Sequence, residues 1–359
     1  MVFNALVILG MAIPAAYLLT GWARDYAVRN GVLDVPNARS SHPKATPRGG
    51  GLAIAFVLLA GTTLLGLSGL APRRLVVAIA GGGLLVAAVG WFDDRSSRPV
   101  ALRVFTHLAA AAWAVFWLGG LPTLRLGNNL LRLGVLGDLM AVLAIAWLVN
   151  LYNFMDGIDG LAASEAVAVA ATAGVLLATG GDTGLATVSL LIAGAAVGFL
   201  AWNLPPAKVF MGDVGSGLLG YVFGVSALYS ERSGSLPALI WVLLLGVFIV
   251  DATATLIRRV LRGERWFEAH RSHAYQMLTR TGLTHGGMTG LVVAVDSLLA
   301  FLAWLCIRYP NAVLAIEAAA LSCLALVWLI LTERVLTGSG KSSALASNRP
   351  DPKIPGPRG

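Results

Sequence analysis

The chain has 359 residues, of which 57% are hydrophobic and only 12% charged, with a formal net charge of +8. An ordinary soluble domain is about 25% charged, and the apolar residues here form long blocks, not amphipathic stripes, which excludes a soluble globular protein. The ten-residue alternating segments of outer-membrane barrels are missing too, so the composition predicts an all-α, polytopic integral membrane protein.

A bilayer core needs about 20 apolar residues per helix. Eleven segments meet this in chain order: 2–20, 49–68, 75–92, 103–119, 136–153, 161–179, 185–203, 214–229, 236–256, 288–307 and 312–332. The first lacks a basic leader and a small-residue cleavage site before Trp22, so it is expected to stay as a helix. With the N-terminus periplasmic and the C-terminus cytoplasmic, 20 of the 26 Lys and Arg fall inside. Arg73, Arg74, Arg125, Arg132, Arg232 and Arg308 are left outside, and the positive-inside rule fixes this orientation. The basic charge is therefore a topology signal, with no nucleic-acid partner implied. Cys306 and Cys323 lie in predicted spans and say nothing about redox compartment. Residues 337–359 are rich in Gly, Ser and Pro and read as a disordered cytoplasmic tail behind a membrane domain at 1–336.

The polar residues gather at predicted cytoplasmic helix ends. Residues 34–51 form a basic loop carrying Arg39, Lys44 and Arg48 that ends in three glycines. Glycines entering a helix make a reasonable phosphate cradle, since helix N-termini favour anions; contact with lipid headgroups is the competing reading for Arg39 and Arg48. Asp93 and Asp94 follow. Adjacent carboxylates repel and point about 100° apart on a helix, so only one can meet the reacting atoms. A solvated helix end paired with Arg95 or Arg98 is the plain alternative.

The segment 150–160 places Asn150, Asn153 and Asp156 three residues apart on one side of a helix end. Gly157 and Gly160 then break the helix around Asp159. Residues 203–216 join two spans through Pro205 and Pro206, offer Lys208, and end at the glycine-flanked Asp213. The loop at 270–276 supplies His270, Arg271 and His273. Hard carboxylate and amide oxygens suit Mg²⁺, which takes one or two protein ligands and completes its shell with phosphate and water. No Cys/His cluster of zinc type is present.

These pieces, in this order, resemble the polyprenyl-phosphate N-acetylhexosamine-1-phosphate transferases. That superfamily includes the phospho-MurNAc-pentapeptide translocase and the enzymes initiating O-antigen and teichoic acid linkage-unit synthesis. The matching motifs are DVPNARSSHPKATPRGGG at 34–51, FDD at 92–94, NLYNFMDGIDGLA at 150–162, NLPPAKVFMGDVGSG at 203–217 and HRSHAY at 270–275. Eleven helices with the N-terminus out fit the O-antigen-initiating branch better than the ten-helix translocase branch.

The resemblance implies Asp213 as a Mg²⁺ ligand with Asn153 as its partner, Mn²⁺ being an alternative ion. It implies Asp93 as base toward the lipid phosphate, with Asp94 and Asp156 as the other catalytic acids. Phe210 would stack on uracil, Asp159 would contact the base, and Arg103 and Lys44 would bind phosphate. Asn150, His270, Arg271 and His273 complete the expected substrate contacts. Many relatives carry consecutive histidines where this chain has His273-Ala-Tyr-Gln, so the roles of Tyr275 and Gln276 stay open. The implied reaction is attack by polyprenyl phosphate on the β-phosphorus of a UDP-N-acetylhexosamine, giving polyprenyl-diphosphate-sugar and UMP at the cytoplasmic face of the bacterial inner membrane. A homodimer is a compatible assembly. A transporter is the alternative from another class, favoured only by Asp251 inside a span; transporters place such acids near mid-membrane.

Overall fold

The computed structural model describes residues 2–36, 45–96, 98–265 and 270–347. Its helices are α1 (Val2–Arg29), α2 (Gly51–Leu67), α3 (Arg73–Arg95), α4 (Val100–Leu118), α5 (Val135–Met155), α6 (Leu161–Thr179), α7 (Thr183–Asn203), α8 (Asp213–Ser233), α9 (Ala238–Leu244), α10 (Gly246–Leu261), α11 (Ala274–Arg280), α12 (His285–Arg308) and α13 (Val313–Ser347). Each predicted span coincides with one of these, α9 and α10 together filling the ninth. Residues 348–359 of the expected tail, and Lys44 with Arg39 in the first loop, lie outside the described residues.

Among the described residues, eight helices are long and apolar enough to cross a bilayer, and the pair α9–α10, bent by 78°, makes a ninth if it is one span. The chain is thus a polytopic membrane protein, as its composition requires. Helix α2 falls short of the count on length alone, at 17 residues. Helix α8 differs for another reason. It is buried along most of its length and packs against α2, α3, α4, α5 and α9, so it meets protein instead of lipid. A helix walled by other helices gains more from small residues than from apolar bulk, because small residues let backbones approach. A Cβ on Gly51 of α2 would come within 2.5 Å of the Gly215 Cα of α8, and one on Gly90 of α3 within 2.7 Å of the Asp213 backbone. These glycines bring the ends of α2 and α3 directly onto the start of α8.

Two short antiparallel pairs lie in the loops, β1 (Leu33–Asp34) with β2 (Thr46–Pro47) and β3 (Thr123–Leu126) with β4 (Asn129–Arg132). The second is a hairpin whose two-residue turn starts at Gly127 with φ +65°, the left-handed conformation that such turns require.

Candidate active site

The polar ends of α3, α4, α5 and α8 meet at one end of the bundle. Asp94, the penultimate residue of α3, has only 1% of its side chain exposed. Its carboxylate accepts the backbone N–H groups of Asp213 (3.0 Å) and Val214 (3.3 Å). It therefore caps α8 from a neighbouring helix, where the helix dipole also favours negative charge. The fit requires glycine at position 212, which has φ +77° and whose Cβ would fall 2.6 Å from Asp94 Oδ2.

Asp93 faces the other way and is 11% exposed. It accepts the backbone N–H of Arg98 at 2.6 Å and pairs with Arg103 Nη1 at 2.8 Å. The 100° separation expected for adjacent helical residues thus divides the two carboxylates into a structural cap and an accessible acid.

Two arginines stitch the acids together. Arg48 Nε lies 2.8 Å from Asp94 Oδ1, and its Nη2 lies 2.5 Å from Asp213 Oδ1. Arg103 Nη1 lies 3.6 Å from Asp213 Oδ2 as well as beside Asp93. The result alternates in sign along Asp94, Arg48, Asp213, Arg103 and Asp93. Asn153 donates to Ser216 Oγ at 3.2 Å and hydrogen-bonds the Asp213 carboxylate. Asp156, just past the end of α5, accepts from the Gly212 backbone. Burial, then the nearby Asp213 and Asp94 carboxylates, push Asp156 well above the usual carboxylate range against the pull of Arg48.

Next to this cluster lies a cavity of about 520 Å³, with Arg103, Asn150, Asn153, Asp213 and His270 among its lining residues. His107, Tyr275 and Gln276 also line it. Burial, His273 and two arginines push the His270 imidazole down to about 4, so it is neutral near pH 7. A second cavity of about 480 Å³, between the ends of α1 and α3, reaches Arg48 and Asp94 from the other side.

Other predicted residues sit apart from the first cavity. Asp159 accepts from the Ala207 backbone (3.0 Å) and lies 3.4 Å from His285. Phe210 is held by its backbone, its N–H donating to Pro47 O and its carbonyl accepting from Gly49 and Gly50. His273 is buried against Asp251 at 3.6 Å, beside Phe154 and Tyr275. Asp251 accepts the backbone N–H groups of Ala274 (2.8 Å) and Tyr275 (3.2 Å) and the Trp328 indole (3.0 Å), which makes it the anchor of α11.

The glycine cradle expected at 49–51 is not one. The N–H groups of Gly49 and Gly50 donate to Phe210 O and that of Gly51 to Met211 O. They are spent on joining the loop to the 210–213 segment, which is how Arg48 reaches Asp213. Arg48, for which site and headgroup contact were both open, bridges Asp94 and Asp213. Its signal was adjacency to those glycines. His107 was passed over entirely, although it lies four residues after Arg103 on the same helical face.

A helical membrane protein with an acid–arginine centre opening onto a cavity at one end of the bundle is the class that fold and site define. The chain belongs to glycosyl transferase family 4, whose profile matches residues 76–231, and its relatives are transferases. It is 31% identical over 275 residues to the probable undecaprenyl-phosphate N-acetylglucosaminyl 1-phosphate transferase of Bacillus subtilis, covering 75% of each chain. It is 30% identical over 321 residues to the decaprenyl-phosphate N-acetylglucosaminephosphotransferase of Mycolicibacterium smegmatis, covering 79% of this chain and 78% of the relative. Against the phospho-N-acetylmuramoyl-pentapeptide-transferase of Moorella thermoacetica the identity is 32% over 253 residues, covering 66% and 77%.

Proposed function

We propose that this protein transfers an N-acetylhexosamine 1-phosphate from a UDP-sugar to polyprenyl phosphate, releasing UMP, at the cytoplasmic face of a bacterial inner membrane. The observation that carries the reading is Asp213 clasped between Arg48 and Arg103 beside Asp93, at the edge of a cavity that Arg103, Asn150, Asn153 and His270 also line. The names of the relatives support a polyprenyl phosphate acceptor and an N-acetylglucosamine 1-phosphate group. In the reaction, an oxygen of the lipid phosphate forms a bond to the β-phosphorus as the bond from that phosphorus to the bridging oxygen breaks. The α-phosphate then leaves as UMP.

Such transfers depend on positioning and charge neutralisation more than on covalent help. Arg103 supplies positive charge at the cavity and holds Asp93 in place. A phosphate monoester has its second pKa near about 6, so Asp93 has little deprotonation to do near pH 7 and serves to orient the nucleophile.

The donor set fits Mg²⁺. Asp213 and Asp93 bring hard carboxylate oxygens side by side, with the Asn153 amide on Asp213; among the described residues no set of three or more His, Cys, Asp or Glu is arranged to hold an ion. An ion bound by one or two protein oxygens, with phosphates completing its shell, is the usual arrangement for Mg²⁺. When bound, it would neutralise diphosphate charge. The transporter alternative loses its one support, since Asp251 is fully engaged in anchoring α11.

Purified protein given polyprenyl phosphate, Mg²⁺ and a panel of UDP-sugars should release UMP with at least one of them. Silence across the panel in protein shown to be folded would overturn the reading.

A further inference from the structure

The cavity holds two polar atoms that the protein leaves unsatisfied. Nδ1 of His107 and Oε1 of Gln276 are buried without a hydrogen-bond partner among the described residues, and both residues line the cavity wall. An unpaired buried polar atom costs free energy that a partner recovers, so each marks a place where a ligand atom is wanted.

The neighbours fix what kind of atom. Asn150 spends its amide nitrogen on Ala146 O at 2.7 Å, so the side-chain hydrogen bond it makes with His107 uses its carbonyl. That bond places the ring proton on the nitrogen facing Asn150 and leaves Nδ1 as a bare lone pair. Gln276 likewise hydrogen-bonds Tyr275 with its amide end, the Tyr275 hydroxyl itself donating to Phe154 O at 2.9 Å. Its Oε1 is then also a pure acceptor. Two acceptors with fixed polarity call for a ligand bearing O–H or N–H donors. Neither an ionised lipid phosphate nor a polyprenyl chain has any.

We propose that His107, together with Gln276, binds the sugar of the nucleotide sugar through its hydroxyl or acetamido hydrogens. The inference rests on the transferase reading above. Position favours the sugar over the nucleoside. His107 stands one turn, about 6 Å along the helix, from Arg103, which pairs with Asp93 at 2.8 Å; in the transferase reading the β-phosphate reacts beside that pair, and the sugar is attached to that phosphate. Phe210 and Asp159, the residues expected at the base, do not line this cavity.

The test compares wild type, His107→Ala, His107→Asn and Gln276→Leu. It measures KM for the UDP-sugar that wild type turns over, KM for polyprenyl phosphate, and the dissociation constant of UMP. His107→Ala should raise the UDP-sugar KM about 3- to 10-fold, the loss expected from one hydrogen bond, with UMP affinity and lipid KM unchanged. His107→Asn, whose carbonyl can stand near the Nδ1 position, should restore most of the loss. Gln276→Leu should repeat the pattern even if His107→Ala fails to fold. Weakened UMP binding in step with the UDP-sugar would assign these residues to the nucleotide and overturn the proposal. A rise confined to the lipid KM, or no change in any constant, would overturn it too. Wild type that turns over no UDP-sugar would refute the transferase reading itself.

Discussion

The division of labour between Asp93 and Asp94 makes a sharp prediction, because both can be neutralised without changing shape. In Asp94→Asn the side chain keeps one acceptor oxygen for the start of α8 but loses its charge against Arg48. Asp94 is 1% exposed and caps the start of α8, although Arg48, 2.8 Å away, keeps 35% of its side chain exposed. The amide turns its N–H₂ on one of the backbone N–H groups that the carboxylate accepted and leaves it without an acceptor, a loss of about 1–3 kcal/mol. In Asp93→Asn the partner Arg103, 33% exposed and lining the cavity, still has Asp213 within 3.6 Å. That loss should stay near about 1 kcal/mol, the range of a solvent-screened pair. Thermal unfolding in detergent, followed by tryptophan fluorescence beside UMP release, separates them. Asp94→Asn should unfold well below wild type. Asp93→Asn should unfold close to wild type yet lose nearly all activity. A destabilised Asp93→Asn and a stable Asp94→Asn would show that cap and accessible acid have been interchanged.

Chelation with EDTA should abolish UMP release and added Mg²⁺ restore it, while Asp213→Asn stays inactive in folded protein; full activity in EDTA would remove the metal. Phe210→Ala should weaken UMP and UDP-sugar binding by about 1–3 kcal/mol if its ring stacks on the base, seen as a rise in KM; equal binding would end that assignment. The depressed His270 pKa of about 4 means the unfolded chain binds more protons between pH 6.5 and 4, so folding stability should fall as pH drops through that window. His270→Gln should flatten the fall, and an identical slope in both proteins would place the His270 titration elsewhere. A reporter fused after Arg334 should be cytoplasmic and one fused within 231–235 periplasmic; the reverse would invert the topology.

The helices were legible because hydrocarbon leaves a chain few options, and runs near 20 apolar residues can be counted directly. The residues of the acid cluster were legible for a related reason: charge at a helix end beside a bilayer stands out. What could not be read was the pairing. Whether Asp93 or Asp94 faces inward depends on the rotation of α3, and that is set by Gly90 packing on Asp213 and Gly212 making room for Asp94, contacts about 120 residues apart in sequence. Arg48 sits in the middle of the cluster because Gly49–Gly51 hydrogen-bond to residues 210–211, a long-range register that no local pattern encodes. The break between α9 and α10 left no mark either, since 238–250 is apolar on both sides of Leu245. The hairpin at 123–132 could have been found, as Gly127-Asn128 between short apolar runs is a known turn signal.

The bent pair α9–α10 bears on how this enzyme could be re-engineered. Asp251, a few residues past the bend, grips the backbone at Ala274 and Tyr275 and also holds the Trp328 indole of α13. Helices α10 and α11 are therefore tied together at Asp251, which is itself fastened by a helix more than 70 residues downstream. Grafting only the loop from a relative would sever that fastening and leave Gln276 unplaced. A transplant carrying α10, α11 and the Trp328 position together would move the cavity wall as a unit.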